Sequence, residues 1–378
     1  MLAPYRHVYV HVPFCARRCV YCDFSIAVRA RVPVAEYVDG VRRELVARFG
    51  PAPAAADRTR ISTLYFGGGT PSRLGGDGLA ALVSALRAWF VWNEDAEVTA
   101  EANPDDVTAD AVQAWRAAGI SRLSIGAQAF GDDALAWMRR THAGDAAERA
   151  VDVARSHGIP EISLDLIFAL PGGIARDIDS DLARLVALAP SHVSIYGLTV
   201  EPGTPLGRWA DRREVTEADE ARYEREFLAA HAVLTAAGYE HYEVSNFARP
   251  GHRARHNSAY WSGAPYLGLG PSAHGFDGAV RRWNESAYAR WLPRVVGGAD
   301  PVAGCDPLDG DALTTEAVYL GLRTIDGLEL RADEGPRVDR WVGAGWAERD
   351  GSRVRLTATG WLRLDALAAD LTAVRSRS

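Results

Sequence analysis

Lysine is absent: all 42 basic residues among the 378 are arginine. Two enzyme classes go with it. No lysine can hold pyridoxal phosphate as a Schiff base, and none can complete the GK[ST] of a phosphate-binding loop. Cysteine is scarce, at four, which argues against a disulfide framework and fits a reducing compartment. No apolar run approaches the roughly 18 residues that suggest a membrane span. The opening MLAPYRHVYV lacks the basic stretch and apolar core of a secretory signal, so the expected setting is the cytoplasm. An excess of positive charge is also missing. The formal net charge is −7, whereas a nonspecific nucleic-acid binder is normally basic, so no nucleic-acid partner is expected. What remains is 48% hydrophobic and 24% charged, enough for one large domain and a small one with an ample core.

The few cysteines are placed unevenly. HVPFCARRCVYCDF (11–24) holds three of the four, at C-x3-C-x2-C: Cys15, Cys19 and Cys22. The fourth, Cys305, lies far down the chain and reads as a bystander. Thiolates this close on one loop can converge on one inorganic centre. A closed zinc site wants a fourth ligand, for which His11 or Asp23 is available. A cubane iron–sulfur cluster with three cysteine ligands instead leaves one iron open to bind something else.

The remaining chain alternates strands and helices. Apolar, β-rich runs fall at 7–12, 61–66, 96–102, 122–128, 161–168 and 192–200, with helical periodicity between them at 34–48 and 77–90 among others. Six βα units in a row predict an α/β fold with a parallel sheet, closed or partly closed as a barrel. In such barrels the chemistry sits at the C-terminal ends of strands, and the polar residues fall there. The cysteine loop follows the first strand and GGGTPS (67–72) the second. Glu101 ends the third and Gln128 the fourth; Asp165 lies in the fifth and Tyr196 in the sixth. The glycines of GGGTPS either form a plain turn or let backbone groups approach a ligand closely. Glu101, Asp165 and Arg140 each also read as ordinary solvated or ion-paired charges.

The triad, with an aromatic (Tyr21) before its last cysteine, resembles the radical S-adenosylmethionine (SAM) superfamily. That resemblance implies a partial (β/α)6 barrel, a [4Fe-4S] cluster on Cys15, Cys19 and Cys22, and SAM on the open iron. It implicates Gly68, Gly69 and Thr70 with the methionine amino group and Glu101 with SAM. Tyr9, Tyr21, Gln128, Arg140 and Asp165 match further cofactor-lining positions. YVHVPFCARRCVYCDF, YFGGGTPS, EANPDD, SLDLIFALPG, YEVSNFARPG, HNSAYW and GLGPSAHGF occur in that order. Together they resemble, over essentially the whole chain, the branch holding oxygen-independent coproporphyrinogen III oxidase and its heme-chaperone relatives. The oxidase carries one more cysteine in a C-G-C arrangement and a longer segment before the triad. Here Asp23 and Phe24 follow Cys22, and Cys15 lies near the start of the sequence. Both departures point to the chaperone side.

HNSAYW (256–261) matches the H-N-x-x-Y-W motif associated with heme in those chaperones. His256, Asn257, Tyr260 and Trp261 are therefore the candidate heme residues: an imidazole for iron, aromatic rings for a flat macrocycle, an amide for a propionate. The bland alternative is an architectural loop in which the two aromatics plug the barrel mouth. His252 and His274 are alternative iron ligands, with His274 expected to be buried and hydrogen-bonded. Arg249, Arg253 and Arg255 either pair with propionates or form a solvated patch.

Farther on, 211–238 reads as one helix with Thr216 as N-cap and Gly238 as stop, and YEHYEVSNF (239–247) as a strand. The end of the chain, with a hairpin turning at Asp350–Gly351, predicts a small winged-helix-like domain. The expected division is a core barrel over 1–240, an extension with the heme motif over 241–300, and the small domain over 301–378. The functional expectation is a heme chaperone without coproporphyrinogen dehydrogenase activity, delivering heme to apoproteins, respiratory membrane proteins among them. The porphyrinogen oxidase and a binding module with a purely structural cluster are the alternatives. A homodimer stays open.

Overall fold

The computed structural model describes residues 5–375; part of the N-terminal stretch read above, residues 1–4, lies outside them. Six parallel strands follow one another in space as in sequence: β1 (His7–Val12), β2 (Thr63–Gly68), β3 (Glu97–Ala102), β4 (Arg122–Gln128), β5 (Glu161–Phe168) and β6 (His192–Gly197). The intervening helices include α1 (Val34–Phe49), α2 (Gly75–Leu86), α3 (Ala109–Ala118), α4 (Asp132–Trp137), α5 (Ala146–Ser156) and α6 (Ile178–Leu188). The six units form a partial (β/α)6 barrel.

Period-two alternation decides what each strand shows to each side. Val8, Val10 and Val12 of β1 are fully buried on one face, as are Leu123 and Ile125 of β4 and Leu164 and Leu166 of β5. Burying each such side chain stabilises the fold by roughly 1.5–3 kcal/mol. The opposite face is polar. Thr99 and Glu101, Ser124 and Gln128, Ser163 and Asp165, and Ser194 and Tyr196 all line one internal cavity. Register aligns them into layers: Glu101 pairs with Ser124, Ser124 with Ser163, and Ser163 with His192.

The sheet runs on past both ends of the barrel. After α7 (Pro205–Asp211) and α8 (Glu220–Ala236), β7 (Glu240–Glu243) and β8 (Asn246–Ala248) extend it beyond β6. After α9 (Arg255–Trp261), β9 (Tyr266–Leu269) pairs parallel with β1. Antiparallel β10 (His274–Phe276), β11 (Val280–Asn284) and β12 (Val302–Pro307) follow it, twelve strands in all. Segment 241–300 is thus continuous with the barrel sheet at both edges. Its helix α10 (Tyr288–Val296) packs Trp291 against α1, where a Cβ on Gly40 would stand 2.5 Å from the indole.

The chain ends in α11 (Gly310–Arg323), β13 (Leu328–Glu329), α12 (Gly335–Gly343), the β14 (Ala347–Asp350)–β15 (Arg353–Leu356) hairpin, α13 (Ala358–Trp361) and α14 (Leu364–Arg375). The sheet order β13-β15-β14 gives the expected winged-helix-like arrangement. Trp361 ties it to strand β7 of the main sheet, its ring edge-on to His241 at 4.4 Å, while its indole N–H donates to Leu322 O of α11 at 3.1 Å.

Three local expectations are corrected. The helix expected over 211–238 is shorter: α7 ends at Asp211 and α8 starts only at Glu220, because Arg213 adopts a left-handed φ of 59° and Asp219, not Thr216, caps α8 by accepting from Arg222 N at 2.7 Å. The strand expected over 239–247 folds back on itself as β7 and β8, paired antiparallel. The terminal hairpin turns at Gly351–Ser352, one residue later than expected, with Gly351 at φ 59°.

Candidate functional site

The C-terminal ends of the strands open onto a cavity of about 600 Å³. Its lining brings together Cys15, Cys19, Cys22, Tyr21, Gly68, Gly69, Thr70, Glu101, Gln128, Arg140 and Asp165, with Asn257 from α9. Tyr9 and Tyr260 line a second, adjoining cavity of about 380 Å³, which shares Asp23, Phe24, Gly68 and Glu101 with the first. His256 and Trp261 line neither.

The cysteine loop leaves β1 through the short strand Phe14–Cys15, which pairs with Ala27–Val28. All three thiols are partly exposed and free. Cys15 Sγ lies 3.4 Å from Thr70 Oγ1, and Arg140 donates to Cys19 Sγ at 3.6 Å. Burial raises the Cys15 pKa and pushes Cys22 up to about 11, so a bound cation is what would keep these groups as thiolates. Among the described residues no three His, Cys, Asp or Glu side chains stand close enough to share one metal ion. A cubane puts its ligands on separate irons, and a three-thiolate loop fits that donor set.

Beside the thiols the glycines make a cradle. A Cβ on Gly69 would lie 2.7 Å from the Pro13 carbonyl carbon, and one on Gly68, at φ 108°, 2.5 Å from the His11 ring. Only bare backbone lets the GGGTPS loop lie this close to the cysteine loop. Gly68 N–H donates to Glu101 Oε2 at 3.1 Å, and Tyr65 OH donates to Oε1 at 2.9 Å. Burial nonetheless raises Glu101 to about 7, and the nearby Asp165 adds to the shift. Asp165 accepts from Ser124 Oγ at 3.0 Å on both oxygens and from Ser163 at 3.3 Å. Its pKa rises to about 6, again chiefly by burial.

Arg140 crosses the site. It donates to Asn103 Oδ1 at 2.8 Å and to Gly126 O at 3.0 Å. Burial opposes its charge, but Tyr21 and Cys19 outweigh that and raise its pKa. A break in register between Ile125 and Gln128 ends β4, and Gln128 takes a left-handed φ of 65°. Such a residue persists only where its surroundings hold it. A Cβ on Gly126 would meet the Gln128 amide at 2.7 Å. Arg140 Nε and Thr99 Oγ1 are buried without a hydrogen-bond partner, as walls built to meet a ligand would be.

The motif helix α9 is of a different kind. Glu97 Oε1 and Oε2 accept from the backbone N–H of His256 and Arg255 at 2.8 and 2.9 Å, closing its first turn. The His256 ring is 1% exposed and stacks on Tyr65 at 5.0 Å. Its Nδ1 bonds Thr63 Oγ1 at 2.7 Å and its Nε2 bonds Tyr260 OH at 2.8 Å, and burial lowers its pKa to about 3. Trp261 lies under the Arg323 guanidinium, 4.1 Å from ring centroid to carbon, where Arg323 also pairs with the buried Glu243 at 2.8 Å. His252 is held by Glu161 at 2.7 Å. Arg253 pairs with Glu240 and Asp326, and Arg255 bonds the carbonyls of Asp95 and Ser62. Arg249 lies over the Tyr239 ring. His274, expected to be buried and hydrogen-bonded, is exposed and stacks on Trp283 at 6.0 Å.

Sequence reasoning missed Asn103, Gly126 and the serines around Asp165. The serines carried a signal, since they alternate with apolar residues and fall on the inward face.

The sequence profile of the Radical SAM superfamily matches residues 9–185. The heme chaperone HemW of Mycobacterium tuberculosis is 39% identical over 370 residues, covering 96% of this chain and 94% of that protein. Escherichia coli heme chaperone HemW is 37% identical over 288 residues, 75% of this chain and 74% of that protein. Among solved structures, coproporphyrinogen III oxidase (HemN) from Escherichia coli, a radical SAM enzyme, superposes with a TM-score of 0.78 at 23% identity over 97% of this chain and 90% of that one. The last is a likeness of fold. With cysteine triad, glycine cradle and relatives all in agreement, the chain belongs to the radical SAM superfamily and, within it, to the HemW family.

Proposed function

We propose that this protein is a heme chaperone: it binds heme and delivers it to apoproteins, with a [4Fe-4S] cluster and SAM at the cavity. The observation that carries the reading is the 39% identity to a heme chaperone over 94% of that relative's length. Superfamily membership implies the cluster and SAM. When bound, they supply a reducible iron–sulfur centre and a cleavable sulfonium. Cys15, Cys19 and Cys22 are the proposed cluster ligands, with Arg140 beside Cys19 offsetting negative charge. Gly68, Gly69 and Thr70 offer backbone and hydroxyl groups to the SAM amino acid moiety. Glu101 and Asp165 accept from the ribose hydroxyls of SAM, and Tyr9, Tyr21 and Gln128 complete the contacts. The proposed division is a barrel over 1–240, an extension over 241–300 carrying His256, Asn257, Tyr260 and Trp261 toward heme, and a small domain over 301–378.

Among the described residues no helix is long and apolar enough to cross a membrane. The three free thiols support a reducing setting, the cytoplasm, with respiratory membrane proteins among the acceptors. The test is a hemin titration of the cluster-loaded chain, followed by mixing with an apo b-type cytochrome. A saturable Soret band that moves to the acceptor is expected. No saturable binding would defeat the proposal.

A further inference from the structure

The ten histidines of the chain differ in what their rings already hold. His11, His142, His192, His241 and His256 have both ring nitrogens hydrogen-bonded. His7, His157, His231 and His252 have one engaged, with Thr63, the Val153 carbonyl, His241 and Glu161 respectively. His274 makes no side-chain hydrogen bond. It is also exposed, and it lines the second cavity. Iron needs an unengaged imidazole nitrogen that it can reach, and among the described residues His274 combines a ring with neither nitrogen engaged and a place on the wall of the second cavity.

We infer that His274 is the side chain that ligates heme iron, with the edge of the macrocycle entering the cavity walled by Tyr9, Tyr260 and Tyr266. The inference rests on the heme-binding reading above and names its site. Trp283 stacks behind the ring, 6.0 Å away with planes 24° apart, and holds its orientation. Three tyrosines give the aromatic walls a flat ring requires. The i,i+4 spacing of His256 and Tyr260 puts both on one face of α9, where His256 Nε2 holds the Tyr260 hydroxyl at 2.8 Å. His256 is then a positioning residue: it sets the wall, and His274 meets the iron. The motif keeps its connection to heme through Tyr260.

The test uses the full chain, with hemin as the probe and the Soret band as the readout. His274→Gly is expected to bind at least about tenfold more weakly, with a displaced band, and added imidazole is expected to restore the wild-type band. His256→Phe is expected to weaken binding while leaving the band position unchanged. His252→Ala is expected to behave as wild type. A His274→Gly chain with unchanged affinity and band overturns the assignment. So does a His256→Phe chain that keeps its circular dichroism yet loses the band. A wild-type chain that binds no hemin removes the heme reading itself and this inference with it.

Discussion

The cysteine loop and the motif helix α9 both carry chemistry-bearing residues, and they differ in how far their polar groups are already satisfied. In the loop, three partly exposed thiols meet the Thr70 and Tyr21 hydroxyls, the Arg140 guanidinium and the Phe24 backbone. The walls around them hold buried carboxylates at raised pKa and polar atoms with no partner. In α9, both nitrogens of His256 and the backbone of its first turn are engaged, and the ring of Trp261 lies under the Arg323 guanidinium while its indole N–H has no hydrogen-bond partner. At His256 both ring nitrogens are spent on holding the helix in shape, whereas the cavity wall keeps polar groups that a ligand can meet. A motif rich in metal-binding residue types can therefore be architecture, while its neighbour does the binding.

The sharpest break of this comparison lies in the loop. Cys19→Ser is expected to abolish the cluster, with iron and sulfide falling to background while far-UV circular dichroism is unchanged. Full iron and sulfide in that variant would refute the ligand assignment. A satisfied carboxylate behaves oppositely. Glu44 is wholly buried; it accepts from Gly270 N at 2.8 Å, Asn284 Nδ2 at 2.8 Å and Trp291 Nε1 at 3.0 Å, and pairs with Arg48 at 3.0 Å. Glu44→Ala strands the Gly270 and Trp291 donors and leaves the buried Arg48 without its carboxylate, and is expected to cost about 3–5 kcal/mol in urea unfolding, without changing cluster chemistry in the protein that remains folded.

Smaller effects follow. Gly69→Val drives a side chain into Pro13, where even a Cβ comes within 2.7 Å. Overpacking of that kind costs roughly 1–3 kcal/mol, so SAM affinity by calorimetry is expected to fall about tenfold. Glu101 sits at about 7 against an ordinary 4.5, raised by burial. Its contribution to the stability of the ligand-free chain is present below pH 4.5 and is lost as pH rises through 7. Glu101→Gln should flatten that decline in a series of thermal midpoints, and an unaltered slope would show that the carboxylate is not held as described. The smallest effect belongs to Cys305, exposed on edge strand β12. Cys305→Ser is expected to change neither iron content nor stability by more than about 0.5 kcal/mol.

Much of this was legible in the sequence, because strands announce themselves by alternation and the cysteines by their crowding. β4 and β5 fall on the expected boundaries, and the residues placed at the strand ends meet in one cavity. What could not be read depends on contacts across the chain. Nothing local reveals that His256 bonds Thr63, or that His274 is left open by a hairpin that packs it on Trp283. The helix expected over 211–238 starts only at Glu220, because the left-handed turn at Arg213 leaves no mark on sequence periodicity. The fold back between β7 and β8 hides inside a run whose composition reads as one strand.

The most direct test of the central claim offers the anaerobically cluster-loaded chain SAM together with hemin and coproporphyrinogen III. The account predicts a stoichiometric Soret band from bound heme and porphyrinogen recovered unchanged. Conversion of coproporphyrinogen III to protoporphyrinogen, with no saturable heme binding, would contradict it.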